Sequence, residues 1–187
     1  MKRLGINRTS SWVIGMAVLS AFALVAGAAL ADQDRYTLTA PNGVAFSEFK
    51  GYDQWQDVSV STTDTGIKAI LGNPAMIEAY KEGIPGNGKP FPDGAAIAKI
   101  EWAKAPNPAS PYSVEVPTTL TSISFIEKDS KRFPDTSGWG YAKFLYDPAT
   151  RSFKPYGKDS SFGKKVCYQC HTAVAARDFI FTGYPDR

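Results

Sequence analysis

What this chain lacks narrows the field before anything it contains. No internal repeat and no low-complexity segment is present, which excludes solenoid and low-complexity architectures. Long apolar runs are confined to residues 12–30. The small excess of basic over acidic residues, 21 against 18, is confined there too: residues 1–31 hold Lys2, Arg3 and Arg8 and no acid. Without that segment the chain carries 18 of each sign and no formal charge, so no nucleic-acid or anionic-membrane partner is expected. Histidine, cysteine and methionine are scarcer still. Beyond residue 31 there are only His171, Cys167, Cys170 and Met76.

The N-terminal segment has the three regions of a secretory signal peptide in order: basic residues, the apolar run, and Ala29-Leu30-Ala31 before the polar Asp32-Gln33-Asp34-Arg35. An uncleaved membrane anchor is the alternative, because the run is nearly long enough to span. The small-residue site and abrupt polar change favour cleavage after residue 31. The remaining 156 residues, 32–187, suffice for one domain with a real core, with no membrane attachment after cleavage.

Both cysteines and the only histidine fall within Cys167-Tyr168-Gln169-Cys170-His171. C-x-x-C-H is the attachment signature of haem c, in which two thiols bond the porphyrin and the histidine ligates iron. On a helix, residues three and four apart share a face, so all three side chains can address one flat cofactor. A disulfide or redox C-x-x-C is the alternative, but it does not require the adjacent histidine. Such haem is attached outside the bacterial cytoplasmic membrane, which agrees with an exported, periplasmic protein. With no second histidine, and with Met76 set in an apolar stripe typical of core methionines, no strong sixth ligand is at hand. The iron is then open to a small molecule on its distal side.

Along the chain, Phe46, Phe49, Tyr52 and Trp55 recur at intervals of three, as on one face of a short helix. Strands are expected at residues 56–62 and 67–71. Asn73 and Pro74 open a helix with the apolar stripe Ala75, Met76, Ala79 and Tyr80, ending before Gly83. A strand is expected at 95–102, an exposed proline-containing loop at 103–118, and strands at 121–127 and 140–146. The haem helix is expected at 163–176, with a short closing strand at 179–182. Strands and helices out of regular alternation point to an α+β fold with a mainly antiparallel sheet.

Several segments together resemble the cytochrome P-460 family, which includes cytochrome P-460 proper and cytochrome c′-beta. They are Phe91-Pro92-Asp93-Gly94 with Lys99, Lys128-Asp129-Ser130-Lys131-Arg132-Phe133, Gly138-Trp139-Gly140, and the haem motif followed by Asp178-Phe179-Ile180-Phe181-Thr182. The resemblance implies a periplasmic, mainly β protein with one covalent haem c packed against the sheet, His171 as its proximal iron ligand, and hydroxylamine or nitric oxide as the small nitrogen ligand. A small electron-accepting cytochrome is the implied partner, and a homodimer a candidate assembly.

In the family's catalytic branch a strand lysine in the place of Lys99 is bonded to the porphyrin. Alternation puts Ile97, Lys99 and Glu101 on one strand face, where a solvent-facing lysine is the plain alternative. Ser124 stands where the resemblance implies a distal carboxylate, and Lys68 where it implies an arginine. Glu127 is the acid nearest Ser124 in sequence, either half-buried with a raised pKa or a solvent-facing strand end. Two functions follow: oxidation of hydroxylamine, with Lys99, Ser124, Glu127 and Lys68 as catalytic candidates, or non-enzymatic nitric oxide binding or electron transfer.

Overall fold

Six strands run as an antiparallel meander, each bonded to the next in sequence: β1 (Gln56–Thr63), β2 (Gly66–Gly72), β3 (Ala96–Pro106), β4 (Glu115–Lys128), β5 (Trp139–Asp147) and β6 (Ser152–Pro155). The computed structural model describes residues 33–186. The expected signal peptide therefore lies outside the described residues. Helix α1 (Pro74–Lys81) joins β2 to β3, and a helical run follows β6. The expected α+β class with a mainly antiparallel sheet is what the chain adopts.

The cap chemistry of α1 is as its sequence implies. Asn73 accepts the Met76 N–H at 2.9 Å, and its side-chain oxygen also takes the Ala96 N–H at 3.0 Å, fastening the helix to β3. Among the described residues no helix is long and apolar enough to cross a membrane.

Both faces of the sheet are covered, because its strands alternate apolar residues toward two separate cores. One face packs Ala98, Ile123, Phe125, Ala142 and Phe144 against Phe46, Phe49 and Tyr52 of the N-terminal segment. Phe49 and Phe125 stack there, with ring centroids 4.1 Å apart. The spacing of three in that segment belongs to 3-10 turns, Phe46–Phe49 and Tyr52–Gln54, whose period is three residues. The other face carries Ile70, Ile97 and Tyr141 beneath α1 and the C-terminal segment. Met76 is fully buried in this second core, as its stripe implies.

Three expectations need correction, and one strand lies outside them. Residues 103–118 are not simply a loop, because β3 and β4 continue as a hairpin arm pairing Lys104 with Pro117 and Pro106 with Glu115. Pro106 and Pro117 are tolerated because the arm extends beyond β2 and β5 and is two-stranded, leaving each strand a free edge. Strand β6 carries too short an alternation to stand out in the sequence. The helical run is π-helical over Gly163–Tyr168, α-helical over Gln169–His171 and 3-10 over Thr172–Arg177. No strand forms at 179–182, because Asp178 and Phe179 take left-handed conformations, φ 47° and 64°, that break an extended backbone.

The Phe125 ring closes the first core from the middle of the sheet and is fully buried. Phe125→Ala is expected to lower unfolding free energy by about 3–5 kcal/mol. Urea denaturation is the check, and a loss below ~1 kcal/mol would show that this core does not hold the N-terminal segment.

Candidate functional site

Strand register decides what one wall of the site displays. Pairing aligns Ile70, Lys99, Ser124 and Lys143 in a row across β2 to β5. The row above holds Lys68, Glu101, Ser122 and Leu145, and the row below Ile97, Ile126 and Tyr141. Side chains opposite one another in a sheet share a face. Residues from these rows, with Cys167, Cys170 and His171 of the helical run, line a cavity of about 640 Å³. That volume lies in the range of small-molecule and cofactor sites.

The helical run comes close to the sheet because Gly163 has no side chain. A Cβ there would meet Asn42 Nδ2 at 3.1 Å and the Tyr141 carbonyl oxygen at 3.2 Å. Asn42 also donates to that carbonyl at 2.9 Å. The His171 ring lies 5.0 Å from Tyr141 and 5.0 Å from Phe181, centroid to centroid. Its Nδ1 is 2.6 Å from the Phe179 carbonyl oxygen. A carbonyl can only accept, so Nδ1 carries the proton and Nε2 keeps the lone pair that a metal needs. Burial lowers the His171 pKa, against the Phe179 hydrogen bond that raises it, and Lys99 lowers it further. The neutral, ligating form is favoured.

Cys167 and Cys170 are free thiols, the first half-buried and the second exposed. Burial raises the Cys167 pKa, partly offset by Lys99 and Lys143. Val166 is 54% and Phe181 48% exposed at the cavity, apolar area that a flat apolar group would cover. The Tyr141 hydroxyl is buried without a hydrogen-bond partner, a polar atom that a bound group can satisfy. Two thiols, an imidazole nitrogen and an apolar slot with polar groups on one wall fit a haem.

That polar wall is a charge cluster. Glu101 accepts from Ser122 Oγ at 2.6 Å and Lys143 Nζ at 3.0 Å, and it lies 3.4 Å from Lys68 Nζ and 3.5 Å from Lys99 Nζ. Burial would raise the Glu101 pKa, but the Ser122 hydroxyl and the Lys99 and Lys143 ammonium groups together bring it down to about 2. Lys99 moves the other way: burial lowers its pKa, Glu101 opposes this, and Lys68 and Lys143 repel its charge. It is a half-buried amine with enhanced access to its neutral form.

The structure thus brings together Cys167, Cys170, His171, Lys99, Ser124 and Lys68. Glu127 is not among them. It pairs with Ala96 and Gly140 on the opposite face and binds Arg132 at 3.0 Å, beside Glu48. Burial first, then repulsion from Glu48, raises its pKa to about 7 against the pull of Arg132. The half-buried carboxylate with a raised pKa exists, but away from the cavity. Glu101, Lys143 and Tyr141 are the site residues that sequence reasoning missed. The signal for Glu101 was its place two residues from Lys99 on the same strand face, and for Lys143 a lone charge inside the apolar run of β5.

A depressed carboxylate pKa stabilises the fold above the unfolded value and loses that contribution as pH falls through the folded one. Glu101 should therefore stabilise the protein above about pH 4.5 and release that stability as pH drops toward 2. In Glu101→Gln the melting temperature should be lower at neutral pH and fall less steeply below pH 4.5. A melting curve with the wild-type acid dependence would show that the carboxylate is not held by the lysines.

In comparison with known proteins, a family model described as Cytochrome P460 matches residues 49–182. No curated protein matches the chain.

Proposed function

Because the chain belongs to the cytochrome P-460 family, and is thus a haem protein of a kind related to hydroxylamine oxidation, we propose that it is a periplasmic monohaem protein that oxidises hydroxylamine, and by extension nitric oxide. Cys167 and Cys170 attach one haem c through thioethers, and His171 Nε2 is its proximal ligand. The haem supplies an iron able to take a small nitrogen ligand and to accept its electrons. A small cytochrome then receives those electrons. The balanced charge beyond residue 31 supports a protein free of nucleic acid and membrane after signal removal, with a homodimer as the candidate assembly.

The observation that carries the enzymatic reading is Lys99 in the wall of the same cavity as Cys167, Cys170 and His171. Burial lowers its pKa from the ordinary value, which makes the neutral amine, the form that can bond carbon, easier to reach. With a haem held by Cys167, Cys170 and His171, Lys99 Nζ would supply the nitrogen of the lysine–porphyrin bond that the family resemblance implies.

Oxidation of hydroxylamine also needs a proton acceptor. Ser124 is a poor base, and Glu127 faces away. Glu101 contacts Lys68, Lys99 and Lys143 in the same wall, but a pKa of about 2 makes it too weak a base for that step. Its role is to hold the lysines, and the protons pass to solvent. Lys68, Lys143 and Ser124 keep the wall polar and orient the ligand.

A second reading draws on the same wall. Without a carboxylate at Ser124, a cytochrome c′-beta-like binder of nitric oxide or an electron carrier needs no base at all. The state of Lys99 separates the two.

Expressed with haem-maturation machinery, the protein should show a Lys99–haem adduct by intact mass and tryptic mapping, and a ferrous Soret band well to the red of ordinary haem c. A free Lys99 peptide with an ordinary spectrum would leave the binder. Lys99→Ala should retain haem through Cys167 and Cys170 and lose at least ~100-fold in hydroxylamine turnover, the usual scale for a directly acting side chain. Unchanged turnover would make the lysine structural.

A further inference from the structure

Apart from Lys99 and the haem motif, the segments that carry the family resemblance are far apart in the chain and meet at one junction beside His171, away from the lysine wall. At its centre Lys128 Nζ lies 2.9 and 3.0 Å from the two carboxylate oxygens of Asp178. The same ammonium donates to the Ser137 carbonyl at 3.0 Å and sits 4.8 Å from the centre of the Trp139 ring. Asp178 Oδ2 also accepts the Phe91 N–H at 2.8 Å. Backbone bonds close the junction: Gly94 N–H to the Lys128 carbonyl and Lys128 N–H to the Ala95 carbonyl, both at 2.8 Å. Asp93 accepts Ser130 N–H and Oγ–H at 2.9 and 2.7 Å.

The pair is nearly covered, with side-chain exposures of 7% for Lys128 and 11% for Asp178. Removing two charges from water is costly, and a buried ion pair is weak evidence of a gain in stability over an apolar pair. This one is formed by a residue whose backbone conformation is disfavoured. Asp178 and Phe179 are consecutive non-glycine residues with φ of 47° and 64°, and such residues persist only where their surroundings over-determine them. Asp178 N–H reaches the Ala175 carbonyl at 3.0 Å, and Phe179 N–H the Val174 carbonyl at 3.1 Å. The resulting turn points the Phe179 carbonyl at His171 Nδ1, 2.6 Å away.

We propose that Lys128 and Asp178 are positioning residues for the proximal ligand: their ion pair locks the Asp178–Phe179 turn, so that the Phe179 carbonyl fixes the His171 ring and sets its strength as an iron donor. Accepting the Nδ1 proton makes the imidazole more basic at Nε2 and fixes its orientation. A stronger donor favours the oxidised iron and lowers the reduction potential. The inference rests on haem being held by Cys167, Cys170 and His171. It explains why segments around residues 91, 128, 139 and 178 accompany the haem motif although none of Phe91, Lys128, Trp139 and Asp178 lines the cavity.

The test uses the haem-loaded full protein. A pyridine haemochrome spectrum first reports on attachment: without thioether-bound haem, the functional reading and this inference fall together. With haem attached, the midpoint potential and the ferrous iron–histidine stretching band, from resonance Raman, test the inference alone. Asp178→Asn keeps an acceptor for Phe91 N–H and removes the charge. It should raise the potential by about 59 mV, a tenfold shift of a one-electron equilibrium, and move the band to lower frequency. Lys128→Met should act in the same direction.

A lower melting temperature with unchanged potential and band, in either variant, overturns the proposal and leaves the pair a structural strut. Where neither variant accumulates, the wild type answers. His171 is the only histidine, so its hyperfine-shifted Nδ1 proton is identifiable without ambiguity. That proton should exchange slowly with solvent, and exchange as fast as for an exposed imidazole overturns the proposal.

Discussion

Antiparallel register is the constraint on which the site depends. Because side chains alternate between faces, a slip of one residue between β3 and its neighbours would send Lys99 into the aromatic core and bring Ala98 into the cavity. The register is secured from the opposite face. Phe125 and Phe144 are buried there under Phe46 and Phe49, and exchanging them for Ser124 and Lys143 would bury polar groups without partners. The core that touches no ligand thus specifies which residues the cavity displays.

The electrostatics of the cavity follow from that alignment. Three lysines and one glutamate converge at a wall that burial partly removes from water, and their pKa values move apart: Glu101 down to about 2, and Lys99 down from its ordinary value. The carboxylate stays charged and organises the cluster, while the most crowded amine is pushed toward neutrality. Glu127 repeats the theme with the opposite outcome on the other face, where it meets a second carboxylate across a single arginine. Two acids on neighbouring strands, both half-buried, thereby acquire different properties and positions.

The histidine side rests on a different device. Its precision comes from a strained turn whose carbonyl meets Nδ1, and the strain is held by contacts that span the chain from Phe91 to Asp178. The two sides of the cavity are tied through β5, where Lys143 contacts Glu101 while Tyr141 lies beside the His171 ring.

Much of the local structure was legible because its cause is local. The cap at Asn73, the strand signals of β1, β2 and β4, and the C-x-x-C-H spacing are each written within a few residues, and the α+β class follows from their order. Prolines hid the extension of the β3–β4 arm, since their tolerance depends on the arm running past its neighbours β2 and β5. The absence of a strand after Asp178 was hidden as well, since positive φ at aspartate and phenylalanine is imposed by partners elsewhere in the chain. By itself the sequence determined the haem motif with His171 as its only histidine, and Lys99, Ser124 and Lys68 as candidates for one site. Only the tertiary structure decided that Glu101 and Lys143 join them, that Glu127 does not, and that Asp178 acts through Phe179 on His171. Those outcomes depend on strand pairing and on buried charges meeting across the fold, and neither is encoded in any short stretch of residues.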